Sequence, residues 1–247
     1  MNSLAKIGWG ITGAGHLLAE TFKTMEKLSK KHEISCFLSS SASRVIPIYG
    51  LSKKLPKICP GGYRREIISE NDEGPSSPLT GRFLRRTYRA LIVSPASSNT
   101  VAKVVTGISD TLITNAIAQA GKGRTPIVIV PTDQEPGETK TAMPYSIDRT
   151  LCEKCESCSV ILLCPANAIV QSDGLPRINL SKCDGCNVCL MKCPYGAISF
   201  GQEVVATTRA IDLENVNKMR MMENFVVLAG PMDIPRALSK ILGGRRG

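Results

Sequence analysis

Eight of the ten cysteines lie between Cys152 and Cys193, in two runs of one form. The first is Cys152-x2-Cys155-x2-Cys158-x5-Cys164-Pro165; the second is Cys183-x2-Cys186-x2-Cys189-x3-Cys193-Pro194. Cysteines this dense build either a disulfide scaffold or a metal site. The chain opens Met-Asn-Ser-Leu-Ala-Lys and runs directly into a Gly-rich strand, which does not read as an export signal. The metal reading therefore leads. Zinc knuckles are the alternative, although zinc sites use Cys pairs rather than triplets followed by Cys-Pro.

The second run has the spacing that holds a 4Fe–4S cubane. Three thiolates two residues apart wrap one face of the cluster in a tight loop. The fourth Cys stands on the following segment, points away and serves the other cluster. The expected ligand sets are therefore crossed. One cluster takes Cys152, Cys155, Cys158 and Cys193; the other takes Cys183, Cys186, Cys189 and Cys164. The longer gap before Cys164 bulges one loop and removes no ligand. The halves also repeat, Cys-Pro-Ala-Asn-Ala-Ile at 164–169 echoing Cys-Pro-Tyr-Gly-Ala-Ile at 193–198. Residues 146–202 thus read as an α+β bacterial-type ferredoxin domain.

Residues 1–145 alternate short apolar runs with helical stretches. Strands are expected at 6–12, 33–38, 89–94 and 126–130, and helices near 16–31, 97–105 and 109–121. Continuous apolar runs of this length suit parallel strands covered on both faces, the βαβ pattern of a doubly wound sheet. Residues 69–81 read as a surface loop. After the cysteines a helix (212–222), a strand (225–229) and a final helix (233–242) follow. So short a tail cannot bury a core of its own. Residues 203–247 are therefore expected to complete the first domain, with the cysteine region inserted between its parts. Cys36 and Cys59 read as a buried strand thiol and a loop thiol.

The formal charge of +10, from 31 Lys+Arg against 21 Asp+Glu, first suggests nucleic acid. Aromatics are only 4%, too few for base-stacking platforms, and no recognition motif is present. No apolar run approaches the roughly 18 residues of a membrane span. The expectation is a cytoplasmic protein that binds neither nucleic acid nor membrane. The basic excess lies outside the cysteine region, where it could attract an anionic substrate or an acidic donor protein.

Gly8-x-Gly10-x-x-Gly13 has the form of a dinucleotide fingerprint, but its glycines fall within the first strand, and the second strand ends in Ser39-Ser40-Ser41 without an acid for a ribose. A monophosphate suits these residues better. Gly13, Ala14 and Gly15 let it approach backbone N–H groups at a helix start, and Ser39 and Ser40 add hydroxyl donors. A third donor-rich strand end, Ser94-Pro95-Ala96-Ser97-Ser98-Asn99-Thr100, favours a ligand at the carboxyl edge, although two N-capped helices are the plainer reading.

Pro-Ala-Ser-Ser-Asn-Thr-Val-Ala-Lys at 95–103, followed by Gly-Ile-Ser-Asp-Thr-Leu-Ile-Thr-Asn at 107–115, resembles the FMN signature of the homo-oligomeric flavin-containing Cys decarboxylase-like flavoproteins. Ile-Thr-Gly-Ala-Gly-His at 11–16 resembles their phosphate loop, and the tail from Arg209 resembles the archaeoflavoprotein branch. The resemblance implies a Rossmann-like flavodoxin-type α/β fold in trimers or dodecamers, with FMN at a subunit interface. By motif, Gly13, Ala14, His16, Ser39 and Ser40 would meet the phosphate and ribityl chain. Pro95, Ala96, Ser98, Asn99, Thr100, Ser109, Asp110 and Thr111 would meet the rest of the flavin. The decarboxylases' His beyond the second strand and their Pro-x-Met-Asn clamp are absent, which argues against decarboxylation. The implied activity is an oxidoreductase. Electrons would pass from reduced ferredoxin or a similar low-potential donor through two clusters to FMN and on to a dihydropterin such as 7,8-dihydromethanopterin. The alternative is an electron-transfer flavoprotein without pterin chemistry. His16 and Asp133 are candidates to contact substrate or move a proton; the plainer readings are that His16 binds phosphate and Asp133 caps a loop.

Overall fold

The structure, a computed structural model, describes residues 4–152, 155 and 157–244. Five strands precede the cysteine region: β1 (Ala5–Ile11), β2 (His32–Leu38), β3 (Ile67–Ser69), β4 (Ala90–Ala96) and β5 (Ile127–Pro131). A sixth, Phe225–Val227, returns after the cysteine region and pairs with β5. All neighbours are parallel, in the order Phe225–Val227, β5, β4, β1, β2, β3. The order reverses beside β1, so the connections leaving β1 and β4 diverge and open a crevice at the carboxyl edge.

Alternation along the strands feeds two cores. Ile7, Trp9 and Ile11 of β1, Ile92 of β4 and Val128 and Val130 of β5 pack under helices Leu18–Ser29, Ser40–Ile48 and Ile234–Gly243. Leu91, Val93, Ile127 and Ile129 face helices Ser98–Val105, Leu112–Lys122 and Ala210–Arg220. From the last of these, Val216 and Met219 are fully covered, contributing about 1.5–3 kcal/mol each by burial.

Gly8 and Gly10 are packing residues of β1. A Cβ on Gly8 would lie 2.3 Å from Phe83 Cζ, and one on Gly10 would lie 3.2 Å from Ile113 Cδ1. Their absent side chains let helices close on the sheet. Gly8→Ala is expected to destabilise the fold by about 1–3 kcal/mol through overpacking, read as a lower midpoint in denaturant. An unchanged midpoint would mean that Phe83 can swing aside.

The edge strand β3 lies beside residues read as loop, and that segment holds more structure than its composition suggests. Glu70–Glu73 is a helical turn, and Ser77 and Thr80 are buried. Cys59, in the bend after helix Leu55–Ile58, is buried, and its thiol hydrogen-bonds Cys36; that bond, burial and the neighbouring thiol push the Cys36 thiol well above its ordinary pKa. Just before β3, Glu66 accepts from Arg82 Nη1 (2.9 Å) and Nη2 (3.2 Å) and from the Arg64 N–H (2.8 Å). Burial pushes its pKa up, but the Arg82 fork and the Arg64 N–H outweigh burial and leave it lowered. A carboxylate with a lowered folded pKa stabilises above its unfolded pKa, and that stabilisation is lost as pH falls through the folded value. Glu66→Gln should therefore flatten the acid limb of melting temperature against pH, by the about 0.2–1 kcal/mol typical of a partly exposed pair. Parallel acid limbs in the two proteins would refute this.

The excursion between β5 and Phe225–Val227 leaves and returns through two short antiparallel pairs. Glu138–Ala142 pairs antiparallel with Glu203–Thr207, and Ser146–Ile147 with Ile198–Ser199. Between them lie helix Ser159–Leu163, a hairpin of Ile169–Ser172 and Leu175–Ile178, and helix Val188–Lys192. Asp173 and Gly174 form the hairpin turn at positive φ, as a two-residue type I′ connection needs. The small core of this unit, Val160, Ile169, Ile198 and Tyr145, also takes in Ile48 from helix Ser40–Ile48.

Candidate functional site

The carboxyl ends of β1 and β4 are tied by a short polar network. Thr12 Oγ1 donates to Pro95 O (2.8 Å) and accepts from the Ser97 N–H (2.9 Å). Trp9 Nε1 donates to Ser94 O (3.1 Å), and the Thr21 and Ser94 hydroxyls lie 2.8 Å apart. Thr12 and Thr21 stand at strand-end and helix positions that sequence reading passed over; a hydroxyl at the last residue of a strand was the available signal.

Above this network the chain turns through Gly13, Ala14, Gly15 and His16 before helix Leu18–Ser29 begins. Among the described residues, none accepts a hydrogen bond from the N–H groups of these four. The turn has no room for side chains on its inner side. A Cβ on Gly13 would lie 2.4 Å from Ser41 Cβ, and one on Gly15 would lie 2.3 Å from Tyr49 Oη. Free N–H groups at a helix start, crowded against small residues, form an anion cradle. Ser39 caps the next helix by accepting from the Ala42 N–H (3.0 Å), and Ser40 begins that helix. The residues suit the phosphate of a flavin mononucleotide.

Pro95 and Ala96 end β4, while Ser98, Asn99 and Thr100 form the first turn of the following helix, capped by Ser97. Thr111 closes a capping box with Thr114 at the start of Leu112–Lys122, and the Leu112 N–H donates to Glu70 Oε2 (2.8 Å). Asp110 is exposed; Lys103 Nζ, 2.8 Å from both its oxygens, holds its pKa below the usual range. Asp133, beyond β5, accepts from Thr132 Oγ1 at 2.6 Å and lies near Arg209, which grips buried Asp212 through Nε and Nη2 at 2.8 Å each. Gln134 Nε2 donates to Pro131, Leu228 and Ala229, joining the ends of β5 and Phe225–Val227. Asp133 and His16 thus occupy separate strand ends.

The cysteines gather in two groups. Cys152, Cys155, Cys158 and Cys193 line one cavity of about 230 Å³. Cys164 lies instead with Cys183 and Cys186, and these with Cys189. Cys164 Sγ accepts from the Ala168 N–H at 3.3 Å. Burial raises the thiol pKa of Cys189 to about 11, neighbouring Cys183 adding to it. A bound cation reverses that balance by deprotonating its thiols outright. Among the described residues, no three His, Cys, Asp or Glu side chains converge as ligands of a single ion; a cubane asks instead for four thiolates spread around four irons. Burial, with Cys183, Cys189 and Cys186 beside it, lifts the Tyr145 phenol to about 12, and its hydroxyl bonds Asn187 within the second run. No helix among the described residues is long and apolar enough to cross a membrane.

The profile of the flavoprotein family matches residues 1–179, and that of the 4Fe-4S binding domain matches residues 176–199. The dihydromethanopterin reductase (acceptor) of Methanosarcina mazei is 42% identical over 233 residues, 93% of this chain and 97% of that protein. Its namesake in Methanocaldococcus jannaschii is 46% identical over 232 residues, 93% and 94% of the two. Among solved structures, Burkholderia xenovorans DmrB in complex with FMN, described as a cubic protein cage for redox transfer, superposes with a TM-score of 0.62 at 25% identity. That match covers 98% of each chain.

Proposed function

The chain belongs to the flavoprotein family, and on that premise we propose that it is an iron–sulfur flavoprotein oxidoreductase. It takes electrons from a low-potential donor and reduces a dihydropterin, 7,8-dihydromethanopterin to the tetrahydro form. The observation that carries this is one chain joining an anion cradle at a sheet's carboxyl edge to two groups of four thiols. Relatives named for that reaction match it along nearly their full length.

The cofactors in this reading are one FMN and two 4Fe–4S clusters, on Cys152, Cys155, Cys158, Cys193 and on Cys183, Cys186, Cys189, Cys164. When bound, the clusters supply single electrons and the flavin supplies hydride chemistry. The residues do the rest. Gly13 to His16 hold the phosphate through backbone N–H groups, and Ser39 and Ser40 flank it. Pro95, Ala96 and Ser98 to Thr100 floor the site, and Ser109 to Thr111 close it from the next helix start. The Asp133 carboxylate, fixed by Thr132, orders the loop after β5. Residues 146–202 form the inserted electron-transfer domain between 1–145 and 203–247. The protein assembles into a homo-oligomer of trimers with the flavin at subunit interfaces. A cytoplasmic setting suits eight thiolates kept reduced.

The test is anaerobic. Purified protein should carry FMN and about eight irons from two cubanes. After chemical reduction, added dihydromethanopterin should reoxidise the flavin stoichiometrically in stopped flow and yield tetrahydromethanopterin. Reoxidation by ferredoxin but not by the pterin would leave an electron-transfer flavoprotein and end the pterin assignment.

A further inference from the structure

The two cysteine groups face different parts of the molecule. Gly185, inside the second run, lies directly on the flavoprotein half: a Cβ there would be 2.5 Å from Gly50 N and 2.7 Å from Pro47 O. Gly50 and Gly185 both have positive φ, +67° and +69°, and meet backbone to backbone. Beside this contact stands Tyr49. Its hydroxyl lies over Gly15 in the anion cradle and donates to Ala142 O at 2.9 Å. Its ring meets Phe200 edge-on at 5.5 Å between centroids, and Phe200 meets Tyr145 at 4.7 Å. Tyr145 packs with Cys183 and Cys189 and bonds Asn187. A packed aromatic chain thus runs from the cradle to the second run. The cavity of Cys152, Cys155, Cys158 and Cys193 is walled by Gln171, Leu175, Pro176 and Tyr195, and none of its described lining residues comes from the six-stranded sheet or its helices.

We propose that the centre on Cys183, Cys186, Cys189 and Cys164 is the flavin-side one, that the centre on Cys152, Cys155, Cys158 and Cys193 receives electrons from the external donor, and that Tyr49 is the positioning residue at the junction. This rests on the cofactor assignment above. Each passage oxidises the flavin-side cluster by one electron and reduces the flavin by one; two passages with two solvent protons convert FMN to FMNH2. Tyr49 carries no charge in this scheme. Burial raises its phenol pKa and keeps it a hydrogen-bond donor, so that it fixes the cradle against the strand at Ala142.

The test uses full-length holoprotein. FMN and iron content are measured first, and a lack of either would sink the cofactor assignment rather than the order of the centres. The two cluster signals in electron paramagnetic resonance are then assigned by their loss in Cys183→Ala and in Cys155→Ala. Redox titrations are run with the flavin bound and stripped. The signal lost in Cys183→Ala should shift its potential when flavin is removed, and the other should not. Tyr49→Leu and Gly185→Ala, at native iron and flavin content, should each slow flavin reduction by about tenfold through a displaced junction. Should the signal lost in Cys155→Ala respond instead, or neither signal respond, the order is overturned. It is also overturned if both variants reduce their flavin at the native rate.

Discussion

Cys193→Ala should remove one whole cluster, and the cluster it removes should belong to the first run, not to its own. Purified anaerobically, the variant is expected to hold about four irons rather than eight and to lose nearly all pterin reduction with a physiological donor. The deciding comparison is with Cys155→Ala and the double variant. If Cys193 serves the same cluster as Cys152, Cys155 and Cys158, whose cavity it lines, the double variant holds as much iron as either single one. If each run keeps its own four thiolates, the double variant loses both clusters and its iron falls to nearly nothing. The prediction extends to folding. The inserted unit has a small core, and metal binding in such units is inseparable from folding. Cys193→Ala should therefore show raised proteolytic sensitivity within 146–202, while the six-stranded sheet, with two large cores of its own, keeps its melting transition.

Where the chain's physics is local, its sequence was a sufficient guide. The two cysteine runs repeat one spacing over their first three members, so they can be read directly. β1, β2, β4 and β5 are covered on both faces and show as unbroken apolar stretches. The helix Ala210–Arg220 and strand Phe225–Val227 needed one further argument, that so short a tail must bury its apolar side on something larger. What escaped notice depends on contacts between distant segments. β3 is three residues long and holds an edge, so its pattern is too brief to see. Helix Ser40–Ile48 begins in serines and contains Pro47, a composition that reads as loop. The paired arm Glu138–Ala142 and Glu203–Thr207 is largely exposed on both faces, so neither strand carries a hydrophobic stripe. Gly8 and Gly10 satisfied the form of a nucleotide motif while acting as space for Phe83 and Ile113. Only packing could reveal that, or that Tyr49 fills the volume over Gly15.

Gly13→Val should yield a protein without flavin and with its iron intact. The argument is steric and electrostatic at once. The turn offers an anion its backbone N–H groups, so the ligand must come within hydrogen-bonding distance of the main chain itself. A branched side chain at residue 13 would begin 2.4 Å from Ser41 Cβ. It would push helix Ser40–Ile48 outward or turn into the space above the N–H groups, and either movement removes the phosphate site. Flavin absorbance should be absent after purification, and added FMN should no longer raise the melting temperature. In the native protein it should raise it by mass action, about 2.7 kcal/mol at a hundredfold excess over Kd. The iron should remain, because no thiol is within the turn. Dihydropterin reduction should vanish while an artificial donor still reduces the clusters. Such a pattern separates the cradle from a general folding role, for which Gly8→Ala is the control, since it weakens the sheet without touching the loop. A Gly13→Val protein that kept its flavin through gel filtration would place the phosphate elsewhere on the carboxyl edge, with the loop after β4 the next to be tested.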